Sequence, residues 1–159
     1  MAYDFNADEI FEMAEQIERN GASFYRKAAE SIDDPAGKKL LLNFAAMEDE
    51  HEKTFAALRK ELSGKEKTAT TFDPDGEAAL YLRALADTRV FFEKKTDTST
   101  MEKILREAIL AEKDSIVFYL GMKEMVAEKF GKTKINAIIK EEMAHIKLLS
   151  GKLVALKRQ

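Results

Sequence analysis

Apolar side chains recur in steps of three and four along four long stretches of the chain, the spacing that gathers them on one face of a helix. In the first stretch they are Ile10, Ala14, Ile17, Gly21, Phe24, Ala28 and Ile32. A helix over about residues 7–32 is predicted, opened by the capping-box spacing of Asn6 and Glu9 and closed by Asp33-Asp34-Pro35. A second is predicted from Asp34-Pro35, a cap residue followed by proline at the first helical position, to Ser63-Gly64. Its face carries Leu41, Phe44, Glu48, His51, Phe55, Leu58 and Leu62. A third runs from the capping box of Ser99 and Glu102 to near Phe130-Gly131, on Leu105, Ala108, Glu112, Ser115, Tyr119, Met122 and Val126. The fourth begins near Thr133 and continues almost to the end, on Ile135, Ile138, Glu142, His145, Leu149 and Leu156.

Two connections, around residues 33–35 and 130–133, are short and force antiparallel neighbours. The middle connection, 64–98, is long enough to run the length of a bundle and start the second helix pair from the far end. Within it Asp73-Pro74 caps a shorter predicted helix carrying Tyr81, Leu82, Leu85, Val90 and Phe91, and Tyr81 with Phe91-Phe92 is expected to anchor it on the bundle. The expectation is an all-α, antiparallel four-helix bundle with a long crossover between helices two and three, a single domain over residues 1–159.

Composition narrows the chemistry. The chain has no Cys, which removes disulfides, thiol catalysis and thiolate-bound metal centres. A net charge of −3 offers no basic excess for nucleic acid. No apolar run approaches the ~20 residues that span a bilayer, and the acidic N-terminus has no apolar signal core. The expected location is the cytoplasm, without membrane or nucleic-acid partners. Any role that needs histidine must use His51 or His145, the only two.

Shifted by 94 residues, segment 10–60 aligns on 104–154 without a gap and with eleven identities, including Glu18/Glu112, Phe24/Phe118, Tyr25/Tyr119, Glu48/Glu142 and His51/His145. Both histidines fall on each other, and each follows a Glu by three. Glu18 to Glu48 and Glu112 to Glu142 are both separations of 30. The chain is therefore read as two copies of one helix pair, packed about a pseudo-twofold axis.

Glu18, Glu48, His51, Glu112, Glu142 and His145 all sit inside apolar stripes. Carboxylates are rarely buried unless paired or bound to metal, and four in one core repel one another. No Lys or Arg occupies the stripes at those levels. The four Glu carry −4, the two neutral His add nothing, and two divalent cations restore neutrality. The charge balance points to a dinuclear metal site. Oxygen-rich ligation with one imidazole per ion suits iron, with manganese or zinc as substitutes. Tyr25 and Tyr119, two turns from Glu18 and Glu112, are candidates to hydrogen-bond to the site or pass electrons. Asp49, Glu50, Glu52 and Glu141 flank the motifs and read as solvated surface, with a contact to the ligands as the alternative.

On Glu18 with Phe24-Tyr25, the Glu48–His51 motif, Glu112 with Phe118-Tyr119, and the Glu142–His145 motif, the chain resembles the diiron domain of the rubrerythrins, within the ferritin-like superfamily. The resemblance implies two iron ions per chain, bridged by Glu48 and Glu142, with Glu18 and His51 completing one and Glu112 and His145 the other. It departs from the family in two places. Rubrerythrins usually add an iron–thiolate domain, which a chain without Cys cannot form, so electrons are expected from an external donor protein. They also carry an extra Glu three residues after the third-helix ligand, where this chain has Ser115; a plain six-ligand site is expected. The implied activity is reduction of peroxide or dioxygen, with oxidation of ferrous iron. The alternatives are iron binding and oxidation for iron homeostasis without substrate turnover, and a purely structural metal site. The expected assembly is a homodimer.

Overall fold

The computed structural model describes residues 7–62, 80–82, 84, 97–126 and 131–159. Four long helices carry it: α1 (Ala7–Glu30), α2 (Pro35–Lys60), α3 (Met101–Met125) and α4 (Lys132–Lys157). Each coincides with one of the four apolar periodicities. The start of α2 follows the reading closely: the Asp34 side chain accepts from the Gly37 amide at 2.9 Å, and Pro35 stands at the first helical position. The predicted crossover helix from Asp73-Pro74, with Leu85, Val90 and Phe91-Phe92, and the Asn6 cap lie outside the described residues, as do Ser63-Gly64 and Phe130.

The end of α1 and both ends of α3 differ from expectation. At the start of α3 the cap is Thr100, not Ser99. Asp97 Oδ1 accepts from both the Ser99 amide, at 3.0 Å, and the Ser99 hydroxyl, at 2.6 Å. Thr100, with extended backbone, accepts from the Lys103 amide instead, at 3.2 Å. Helix α1 stops at Glu30, two residues short of Ile32. Helix α3 stops at Met125, because Val126 adopts extended backbone and carries its side chain into the core. Before α4, Gly131 has φ of +95°, and a Cβ there would collide with Leu58. Only glycine fits both demands.

Contacts across the bundle fix the helix directions. Between α1 and α2, Arg59 reaches Asp8, Arg19 reaches Glu52 and Arg26 reaches Asp49, so numbering rises on one helix as it falls on the other. Glu112 with His145 and Lys123 with Asn136 show the same for α3 and α4. Tyr25 with Glu112 and Tyr119 with Glu18 make α1 and α3 antiparallel as well. The end of α2 therefore lies beside the start of α1. The start of α3 lies at the opposite end, where the Ser31 and Thr98 hydroxyls stand 2.9 Å apart. Leu62 and Asp97, the described residues at either end of the connection, therefore lie at opposite ends of the bundle. Between those two ends in the sequence, Tyr81 and Leu82 press against Gly121 of α3, with Leu82 fully buried.

Two apolar clusters fill the interior. One gathers Phe11, Ile17, Phe55, Leu58, Phe118, Met122 and Ile135 with their neighbours. The other gathers Ala28, Leu41, Phe44, Ile104, Leu105 and Leu149 with theirs. Each fully buried Leu, Ile or Phe contributes roughly 1.5–3 kcal/mol. Between the clusters lies a layer of ionisable groups. Among the described residues, no helix is long and apolar enough to cross a membrane.

Candidate metal centre

The layer is built by helical spacing. Glu48 and His51, three apart, project from one face of α2, and Glu142 and His145 project likewise from α4. Glu18 of α1 and Glu112 of α3 close the ring. All six side chains predicted to form the site are brought together, and all are only 1–5% exposed. Apolar neighbours above and below each of the six on its own helix hold that face toward the interior.

The six resolve into two overlapping quartets, Glu18, Glu48, His51, Glu142 and Glu48, Glu112, Glu142, His145, each with its ligand atoms within 4.8 Å of one another. Glu48 and Glu142 belong to both. Glu142 offers Oε1 to His51 Nδ1 at 2.8 Å and Oε2 to His145 Nδ1 at 3.1 Å. Glu48 offers Oε2 to His51 Nδ1 at 3.4 Å and Oε1 to His145 Nδ1 at 3.7 Å. Glu18 lies 3.4 Å from His51 Nδ1, and Glu112 lies 3.4 Å from His145 Nδ1. Each shared carboxylate thus turns one oxygen to each side, and each imidazole turns Nδ1 inward.

His51 Nδ1 and Glu142 Oε1 are close but have no hydrogen-bond partner among the described residues. Buried polar atoms are seldom left so. Both atoms belong to a quartet whose ligand atoms lie close enough to share a cation, and this fits the donor set to a metal. Three carboxylates and one imidazole surround each position.

The tyrosines complete the layer. Tyr25 donates to Glu112 Oε1 at 2.5 Å, and Tyr119 donates to Glu18. Each tyrosine of one repeat holds the unshared Glu of the other, so the two contacts are images under the 94-residue relation. Burial, and then the neighbouring Glu112 carboxylate for Tyr25 and Glu18 for Tyr119, keep both phenols well above their ordinary range and therefore neutral donors.

The charges in this layer conflict, as the charge balance anticipated. Burial pushes Glu18 and Glu48 upward, and burial with the Glu112 carboxylate pushes Glu142 up to about 8. Burial opposes ionisation of Glu112 too, but contacts with Glu142 and His145 outweigh it and hold this carboxyl low. Burial would lower both imidazoles, yet the surrounding carboxylates raise His51 strongly and His145 to about 10. Without metal, protons neutralise the cluster; metal binding would displace them.

Asp49, Glu50 and Glu52 pair with Arg26, Lys53 and Arg19 near the surface, as solvated residues should. Ser115 donates to the Ala111 carbonyl at 3.0 Å and adds nothing to the ring. Glu141 is exposed as well, but it also makes the contact to a ligand that was the alternative. Its Oε2 lies 2.6 Å from His51 Nε2, across from α4 to α2. The signal was its place immediately before the Glu142–His145 motif, which turns it toward the next helix.

The rubrerythrin family model matches residues 9–99. That span contains Glu18, Glu48 and His51; the second trio is tied to it by the repeat and by the fold. A crystal structure described as a ferritin-like diiron-carboxylate protein from Thermotoga maritima is similar with a TM-score of 0.69, over 96% of this chain and 97% of that one, at 22% sequence identity. At that identity the likeness is one of fold, and it shows the ferritin-like bundle. No curated protein matches the chain by sequence.

Proposed function

The chain belongs to the rubrerythrin family, and on that premise we propose that it is a non-haem dinuclear iron protein that reduces hydrogen peroxide or dioxygen with electrons from a separate donor protein. The observation that carries the reading is the pair of shared carboxylates, Glu48 and Glu142, each presenting one oxygen to each buried imidazole. Glu18 and His51 would complete one iron position, Glu112 and His145 the other. An oxygen-rich set with one imidazole favours iron, or manganese in its place, over zinc.

When bound, an iron pair supplies two electrons to an oxidant and recovers them from a donor. The chain does the rest. Side chains only 1–5% exposed keep bulk water from the layer. Phe44 and Phe55, packed against His145 and Tyr119, wall the layer on either side. The Tyr25 and Tyr119 hydroxyls fix Glu112 and Glu18 and keep a proton beside each. Reduction of peroxide to two waters consumes two electrons and two protons, so proton-bearing groups at the layer serve the same reaction. With no Cys, the chain holds no thiolate iron centre of its own to supply the electrons.

A second reading, iron binding and oxidation without turnover, is favoured by Ser115, which turns to its own helix where a rubrerythrin has another carboxylate. Peroxide consumption separates the two. The iron-loaded protein, given excess H₂O₂ and a chemical reductant, should consume many equivalents per iron pair. Consumption that stops after about one equivalent would overturn the enzymatic reading in favour of the second. Gel filtration adds a check, since a dimer-sized species is incompatible with a storage shell of many subunits.

A further inference from the structure

The two quartets have the same kinds of donor but not the same surroundings. His51 Nε2 has Oε2 of Glu141 at 2.6 Å. The position that the repeat relates to Glu141, 94 residues earlier, is Met47. A thioether is at best a weak acceptor. Among the described residues, His145 meets carboxylates only through Nδ1, from Glu48, Glu112 and Glu142. Its ring packs edge-on against Phe44, centroids 5.0 Å apart.

These two supports do different things. Packing against Phe44 limits how the His145 ring turns, but it does not choose which nitrogen carries the proton. A carboxylate on Nε2 makes that choice: it accepts the N–H and leaves the Nδ1 lone pair facing the cluster. His51 Nδ1 is the nitrogen left without a hydrogen-bond partner in the interior.

We propose that the two metal positions are unequal, and that Glu141 is a positioning residue that makes the His51 position the tighter one and the first to fill. The inference rests on the dinuclear reading above. It adds an order of loading that the near-symmetry of the six ligands hides. Glu141 itself has a side chain 61% exposed, so its replacement leaves the packed interior untouched.

Anaerobic titration of the metal-free protein with Co(II), followed by calorimetry and visible absorption, tests this without any turnover. The unmodified chain should take two ions in two separable steps. E141A should weaken the first step by about 10–100-fold and leave the second alone. E141Q, whose amide oxygen can still accept the Nε2 proton, should keep most of the first step's strength. M47E, which offers His145 a carboxylate, should tighten the second step. Two steps of equal affinity in the unmodified chain, or an E141A variant in which both steps weaken together or neither does, would overturn the proposal. Failure to take up any Co(II) would overturn the dinuclear reading, and this inference with it.

Discussion

The apolar clusters at the ends of the bundle and the ionisable layer between them lie on the same four helices and the same seams. On α2 the sequence of buried residues is Leu41, Phe44, then Glu48, His51, then Phe55, Leu58. Two apolar turns flank one polar turn. The clusters stabilise the fold unconditionally, because water is excluded from apolar surface whatever else is bound. The layer is conditional. Its four carboxylates oppose one another, and only protons or cations reconcile them. The bundle is thus held together at its ends so that its middle can be kept in a state it would not choose alone.

The largest way to break that contrast is at a shared carboxylate. Glu142→Ala removes one oxygen from each quartet, and metal content should fall from two ions per chain to near none by elemental analysis. Glu18→Ala removes an oxygen from only one quartet and should leave one ion. Two tightly held ions in the Glu142→Ala protein would contradict the shared role.

A cut in an end cluster should behave differently. Leu41→Ala deletes a fully buried side chain in the second cluster and should cost about 2–5 kcal/mol of unfolding free energy. Urea denaturation should show that loss equally with and without metal. A loss that appears only in one of the two states would mean that the cluster and the layer are not separable.

The layer should also declare itself through pH. Glu142, with a folded value of about 8 against an ordinary 4.5, contributes stability that is complete below about pH 4.5 and lost as pH rises through 8. His145, raised from 6.5 to about 10, contributes in the same direction, complete below 6.5 and lost through about 10. Glu112, held low, works the other way, and only as pH falls below 4.5. Calorimetry of the metal-free protein should find the melting temperature falling by on the order of 5 °C or more between about pH 5 and pH 9. The loaded protein should show a flatter profile there, since metal replaces the protons.

The smallest contrast is between two glycines. At Gly131, left-handed backbone and the nearby Leu58 side chain leave no room, and Gly131→Ala should destabilise by about 1–3 kcal/mol. Gly21 lies within α1 beside Glu48, and an added Cβ would meet Glu48 Cγ at 3.5 Å, an ordinary contact. Gly21→Ala should be neutral or stabilising by up to about 1 kcal/mol from helix propensity. Thermal melts of the two variants read both signs.

How much of this was legible beforehand follows from what each signal measures. Periodicity and caps place four helices, and the repeat joins all six cluster residues, because a helix has one dominant period and buried carboxylates are rare. Helix ends were less legible. Ser99 and Thr100 are both good caps, and only the competing bonds of Ser99 to Asp97 decide between them. The tyrosine contacts were foreseen only as possibilities, since a residue two turns from Glu18 on its own helix gave no hint that Tyr25 serves Glu112 across the bundle.

The sequence by itself determined the helices, their pairing and the six side chains that must share a core, since all of these follow from spacing along a single chain. Tertiary structure alone decided which oxygen of Glu48 and Glu142 faces which imidazole, which tyrosine holds which carboxylate, and that Glu141 reaches across to His51. Those choices depend on rotation and register between helices far apart in sequence. No local pattern encodes them; the packing of the apolar ends sets them.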